Sequence, residues 1–159
     1  MQAGIGLEPD PTSADLLLHD GLMSVRLAER FGVMVSRPSE QFDEGDWIIR
    51  RSSLHQRATG AKILDANLRI SKKGLPDALL TALFDSQSLL GDLLGRFGIS
   101  VELTDRIIYW VEDPGGQLRW GRRHKMRSTL SNEVICEVDE LLNAAAQLED
   151  LLLEKRRKP

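Results

Sequence analysis

Apolar positions near the start of the chain fall at helical spacing. Leu16, Leu17 and Leu18 follow Thr12 and Ser13, and either hydroxyl can cap a first helix by accepting from its orphan N–H groups. Asp20-Gly21 breaks the pattern and offers Asp20 as the cap of a second helix. In that helix Met23, Leu27 and Phe31 recur every four residues and share one face, and Gly32 ends it. The segment Val33–Gly45 carries Pro38, Glu40, Asp43 and Glu44 and reads as a polar connection. Alternation then takes over. Trp47, Ile48 and Ile49 open a strand that runs to His55, and Gln56–Gly60 is a turn. From Lys62 to Ile70, Leu64, Ala66, Leu68 and Ile70 alternate with Ile63, Asp65, Asn67 and Arg69. This period of two predicts a half-buried strand hairpinned to the one before it.

Lys72-Lys73-Gly74 ends that strand, and Pro76 suits the first turn of a helix whose stripe is Leu79, Leu80, Leu83 and Phe84. Leu89–Phe97 predicts another short helix stopped by Gly98. β-Branched and aromatic residues return from Ile99 to Val111, and Asp113-Pro114-Gly115-Gly116 is a turn. Two further strands are expected over Leu118–Arg127 and Glu133–Val138. A last helix is expected from Asp139 to Lys155, with Leu141, Ala145, Leu148 and Leu152 on one stripe. Hairpin-connected strands beside clustered helices predict an α+β fold with a largely antiparallel sheet. The expected organisation is one domain over residues 1–159, with a loose arm at 1–11, the C-terminal helix at 139–155 and a basic tail at 156–159.

Composition narrows the chemistry. A chain of 159 residues that is 42% hydrophobic suits one globular core, and a net charge of -3 argues against a nucleic-acid-binding surface. There is no apolar run of membrane-spanning length and no signal-peptide pattern at the start, so a cytoplasmic protein is expected. The single Cys136 excludes an internal disulfide framework. His19, His55 and His124 lie far apart, with no metal-ligand spacing, and the glycine-rich phosphate loops and the nucleophile elbow are absent. No metal or cofactor is expected, and the chemistry falls to charged side chains.

Two such side chains interrupt apolar strands. Period two puts Arg51 on one face with Trp47, Ile49, Ser53 and His55. Burying a guanidinium there demands an anionic partner, either a substrate carboxylate held by its fork or an internal acid, unless the strand end reaches water. Arg50 takes this place if the register is off by one. Glu137 follows Val134, Ile135 and Cys136. Desolvated there, its carboxyl would rise in pKa and suit proton transfer; at an exposed strand end it would be an ordinary acid. Trp120-Gly121-Arg122-Arg123, with His124, Lys125 and Arg127 beyond, either focuses positive potential on an anionic ligand or protects an edge strand. Cys136 is expected to pack as a small hydrophobe, and His124 to be structural or at the surface.

These segments together resemble the chorismate pyruvate-lyase family, over about residues 15 to 141. The matching pieces are Leu16-Leu17-Leu18-His19-Asp20, Met23-Ser24-Val25-Arg26-Leu27, the strand with Arg51, the hairpin at Gly60, and Leu90-Gly91-Asp92-Leu93-Leu94. The most specific is Trp120-Gly121-Arg122-Arg123 running without a gap to Glu137. The chain departs from the family in one-residue slips before Met23 and between Arg51 and Gly60, and in ending a strand at Ser71 where proline is usual. The resemblance implies a six-stranded antiparallel sheet with helices packed on it, enclosing a small internal site beneath helical flaps. It implies cleavage of chorismate to 4-hydroxybenzoate and pyruvate without a cofactor. By position it implies Arg51 as the carboxylate-binding arginine, Met23 and Leu90 as ligand contacts, and Glu137 as the catalytic acid.

Two other classes compete. The same fold resembles the effector-binding domain of certain bacterial transcription regulators, which bind small molecules without turnover. Those regulators carry a winged-helix domain ahead of it, for which this chain has no room, and Glu137 favours catalysis. The last helix could instead pair two chains or pack on its own, which leaves monomer and homodimer both open.

Overall fold

The computed structural model describes residues 2–3, 7–85 and 88–157. In chain order its elements are β1 (Gln2–Ala3), α1 (Pro11–Leu17), α2 (Met23–Phe31), β2 (Met34–Glu44), β3 (Trp47–Gln56), β4 (Lys62–Ser71), α3 (Asp77–Asp85), α4 (Leu90–Arg96), β5 (Val101–Glu112), β6 (Leu118–Ser128), β7 (Val134–Leu142) and α5 (Ala145–Arg157). The strands form one antiparallel sheet in the order β1-β5-β6-β7-β4-β3-β2. It is built from two three-stranded meanders, β2–β4 and β5–β7, whose last strands lie side by side. The expected α+β architecture of six long antiparallel strands with helices packed on them is present, and the two-residue β1 adds a seventh at one edge.

Four expectations about the elements are corrected. Val33–Gly45 is not a loop, because Met34–Glu44 forms β2. Met34, Val35 and Ser36 are buried, but from Arg37 onward every side chain is exposed, as an edge strand allows. Its backbone pairs with β3, and Pro38 sits at a bulge where a missing N–H is tolerated. The first helix is capped by Asp10, which accepts from Ser13 N, and not by Thr12 or Ser13. The last helix begins at Ala145, since Asp139–Leu142 continue β7; Asn143 Oδ1 accepts from Ala144 N at the junction. Within the supposed loose arm, Gln2–Ala3 pair with Tyr109 and Trp110, and Pro11 already belongs to α1. Of the basic tail, Lys158 and Pro159 lie outside the described residues.

The helices cover one face of the sheet, and two apolar clusters form beneath them. Leu16, Leu17, Leu27 and Phe31 pack with Leu54, Ile63, Leu64, Trp120 and Leu142. Leu79, Leu83, Leu93 and Leu94 pack with Ile48, Ile70, Ile135 and Val138. The stripe on α5 is satisfied within its own chain, for Leu148 is fully buried in the first cluster and Leu151 and Leu152 pack against it. The opposite face is mainly charged, with apolar Trp47, Ile49 and Ile107 set between its polar residues, as on an antiparallel sheet with one solvated side.

Trp120-Gly121-Arg122-Arg123 shows how one strand serves both faces. Trp120 enters the core, and Arg122 points the same way, fully buried. On the other face a Cβ at Gly121 would collide with the ring of Tyr109. That ring stacks under the Arg123 guanidinium, 4.7 Å from its centroid, and its hydroxyl donates to Asp139. Glycine is needed at 121 because an aromatic ring lies flat where its side chain would be.

Candidate functional site

A cavity of about 50 Å³ lies between the two apolar clusters, under α2 and α4 and above the centre of the sheet. Its wall is largely apolar, with Met23, Leu54, Leu83, Leu90 and Met126 prominent, and no aromatic side chain among the described residues lines it. Against this wall stand two ionisable groups, Arg50 from β3 and Glu140 from β7, and the hydroxyls of Ser24, Ser36, Ser52 and Ser88.

Arg50 is 1% exposed. Its Nη1 donates to the carbonyl of Leu83 at 2.8 Å and its Nη2 to Ser36 Oγ at 3.3 Å. No carboxylate among the described residues pairs with it, and burial holds its pKa below the usual arginine value. Arg51 is the arginine expected here from the sequence. It lies instead on the outer face, half-exposed, and donates to Glu40 at 2.8 Å. The strand's phase is the reason. Ile48, Arg50, Ser52, Leu54 and Gln56 face the core, while Trp47 and Ile49 lie on the outside, where Arg69 stacks on the Trp47 ring at 4.2 Å. Large apolar residues on both faces of the strand's first turn of pleat hide which face is inward.

Glu137 is displaced in the same sense. It is part-exposed on the outer face and pairs with Arg69 at 3.4 Å. The buried acid is Glu140. A register shift between Met126 and Arg127 of β6, opposite Val134–Cys136, lets Ile135 and Cys136 both turn inward, so the alternation counted from Ile135 fails. Beyond it Val138, Glu140 and Leu142 face the core. The signal for Glu140 was present in that apolar–acid–apolar alternation, but Asp139 and Glu140 together read as a helix start.

Met23 and Leu90, the two other expected site residues, both line the cavity from the first residues of α2 and α4. The helices approach closely here, and a Cβ on Gly91 would collide with Ser24 Oγ. That hydroxyl is buried and has no partner among the described residues.

Behind Glu140 the sheet holds further charge. Arg122 donates to Glu140 Oε1 through Nε at 3.3 Å and Nη2 at 3.1 Å. Its Nη1 donates to the carbonyl of His19 at 3.0 Å, tying the α1–α2 connection to the sheet. Burial raises the Glu140 pKa, and the Asp139 charge adds to this; the Arg122 guanidinium opposes both without cancelling them. His124 is buried beside this pair, with Nδ1 3.8 Å from Glu140 Oε1. Burial, helped by Arg122, His19 and Arg106, pushes its pKa down to about 3.

The outer face carries an open cleft of about 600 Å³ lined by Arg51, Arg69, Arg123, Lys125, Glu137 and Asp139. Each of these charges is answered locally, as in Arg69–Glu137, Arg123–Asp139 and Lys125–Asp105. The basic strand therefore splits its charge. Arg122 serves the interior, while Arg123 and Lys125 serve the solvated face.

No family model and no curated protein matches the chain. Solved structures do. The ligand-binding domain of a candidate GntR-family transcriptional regulator from Bordetella bronchiseptica superimposes with a TM-score of 0.52 at 17% identity, over 72% of this chain and 85% of that one. A possible transcriptional regulator, YydK, from Bacillus subtilis also gives 0.52, at 10% identity over 72% of this chain; the match spans 59% of that protein. These two structures share the fold of this chain, an antiparallel sheet with helices packed on it, of the chorismate-lyase-like kind. No helix among the described residues is long and apolar enough to cross a membrane.

Proposed function

We propose that the chain binds a small carboxylate, of the 4-hydroxybenzoate class, in the cavity between α2, α4 and the sheet. The observation that carries this reading is Arg50. A guanidinium buried to this degree, with only a carbonyl and a serine hydroxyl among the described residues to accept from it, is costly without an anion. A ligand carboxylate supplies that anion and takes up the donors that remain. The Leu and Met wall suits an apolar body, and a Glu140 held toward its neutral form does not repel the ligand's charge. At about 50 Å³ the cavity is well below the ~150 Å³ that accommodates a benzene ring. Admission of a ring therefore requires the roof formed by α2 and α4 to yield.

The test is calorimetric titration with 4-hydroxybenzoate of the wild type, Arg50→Met and Arg51→Met. Loss of a charge-assisted bond weakens binding by roughly 10- to 100-fold. We expect that loss in Arg50→Met alone. Equal affinity in all three proteins would remove Arg50 from the reading.

A second reading, chorismate pyruvate-lyase activity, is favoured by Glu140, a buried carboxyl of raised pKa lining the same cavity. Elimination of enolpyruvate from chorismate makes the ring aromatic and needs one proton moved. Glu140 would take that part, in place of the Glu137 expected from the resemblance. Incubation with chorismate, with both products quantified, tests it. Turnover lost in Glu140→Gln but kept in Glu137→Gln supports the lyase, and binding without turnover leaves the ligand-binding domain.

A further inference from the structure

His124 is the one histidine in the described structure whose ring nitrogens both lack a partner, although its side chain is completely buried. A neutral imidazole carries one N–H donor and one acceptor, and leaving such groups unsatisfied costs about 1–3 kcal/mol. A native protein keeps a group of this kind when some state of the molecule supplies its partner. The nearest candidate is Glu140 Oε1, 3.8 Å from Nδ1, too far for a hydrogen bond and near enough to form one with a small movement.

Both groups project from neighbouring strands into one enclosed cluster, and the registers fix them there. His124 pairs with Val138 and Arg122 with Glu140 across β6 and β7. Around Glu140 stand Arg122 on β6, Asp139 and Cys136 on its own strand, and Arg50 of β3 in the same cavity wall. Around His124 stand Arg122, Arg106 of β5, and His19 in the α1–α2 connection. Burial first, and then these three neighbours, which are positive or become so, keep the imidazole from accepting a proton. It remains neutral, and with its proton on Nδ1 it meets the carboxyl as a donor, a bond much stronger to the carboxylate than to the neutral acid.

We propose that His124 is a positioning residue for Glu140, its Nδ1–H closing on Oε1 when the carboxyl ionises and withdrawing when the carboxyl is protonated. The imidazole thereby sets the pH at which the cavity gains its negative charge, and holds the carboxylate so that Oε2 is left for the ligand. The functional consequence rests on the cavity being the binding site. The pairing itself does not, and it is measurable without any ligand.

The experiment follows the Glu140 carboxyl carbon by NMR in protein labelled with 13C-glutamate, its signal assigned by its loss in Glu140→Gln. Titrations compare wild type, His124→Leu, and His124→Asn, whose amide nitrogen occupies the place of Nδ1. Loss of a hydrogen bond to a charged group corresponds to a rise of about one pH unit or more in the midpoint. We expect that rise in His124→Leu and its reversal in His124→Asn. An unchanged midpoint in His124→Leu, or one as high in His124→Asn, overturns the proposal. If His124→Leu does not fold, the imidazole nitrogens of the wild type decide. A neutral ring protonated at Nδ1 whose shift follows the Glu140 titration is expected, and a ring protonated only at Nε2 overturns it. Failure of 4-hydroxybenzoate to bind, with the carboxyl titrating as expected, removes the ligand assignment and leaves His124 in its role.

Discussion

Single residues in this molecule act through what lies directly above or beside them. Gly121→Ala places a methyl group into the ring of Tyr109, which is fixed by Arg123 above and Asp139 at its hydroxyl. Overpacking of this kind costs about 1–3 kcal/mol, and we expect at least the upper part of that range in urea unfolding. His124 gives a pH effect whose sign can be worked out. Its pKa is about 3 in the folded chain against an ordinary 6.5, so between these values the unfolded chain holds the extra proton and stability falls as pH drops. Replacing His124 by Leu removes up to about 1.4 kcal/mol per pH unit from that acid slope. Glu140 acts oppositely. Its raised pKa means the folded chain keeps its proton longer, so its contribution is lost as pH rises above the ordinary value of 4.5. Comparing Glu140→Gln with wild type near neutral pH, where the variant is relieved of ionisation but keeps only a neutral acceptor for Arg122 in place of the ion pair, measures which of the two prevails.

At the level of elements, the sequence was legible wherever one face of a helix or strand was cleanly apolar. The stripes Met23, Leu27, Phe31 and Leu79, Leu80, Leu83 marked α2 and α3, and the alternation through Leu64, Ala66 and Ile70 marked β4. It failed where neighbours replace a pattern. β2 needs no apolar face beyond Ser36, because an edge strand is held by its backbone pairing to β3. β3 and β7 carry their buried charges at Arg50 and Glu140 inside the core phase, one residue and three residues from where Arg51 and Glu137 were expected. No local rule reveals that Arg122, eighteen positions before Glu140, makes an inward acid tolerable. As site residues, Met23 and Leu90 were expected from the resemblance and not from any local pattern; both line the cavity from the first residues of their helices. α5 offers a direct test of element packing. Leu148→Ala removes a fully buried side chain and is expected to cost about 2–5 kcal/mol of unfolding free energy, read from the urea midpoint.

Across the whole molecule, the two meanders meet along β4 and β7, and the cavity lies over this seam with its floor drawn from both. Arg50 comes from one meander and Glu140 from the other, so the ionisable pair exists only once the sheet is complete. A roof of α2 and α4 that yields to admit a ring predicts that their amides exchange with solvent faster in the free protein. Addition of 4-hydroxybenzoate should slow exchange in Met23–Phe31 and Leu90–Arg96 more than in β5 or β6, as hydrogen–deuterium exchange would read.

The placing of the three tryptophans has a consequence for light. Trp120 is buried among the leucines of the first cluster, Trp110 packs against that cluster, and Trp47 lies beneath Arg69 on the far side of the sheet; none borders the cavity. Their emission therefore reports whether the chain is folded, and is blind to direct contact with whatever fills the cavity. An aromatic occupant, with no aromatic side chain among the described residues of the cavity wall, would be the sole chromophore at its own site, and a shift in its ultraviolet absorption would belong to it alone.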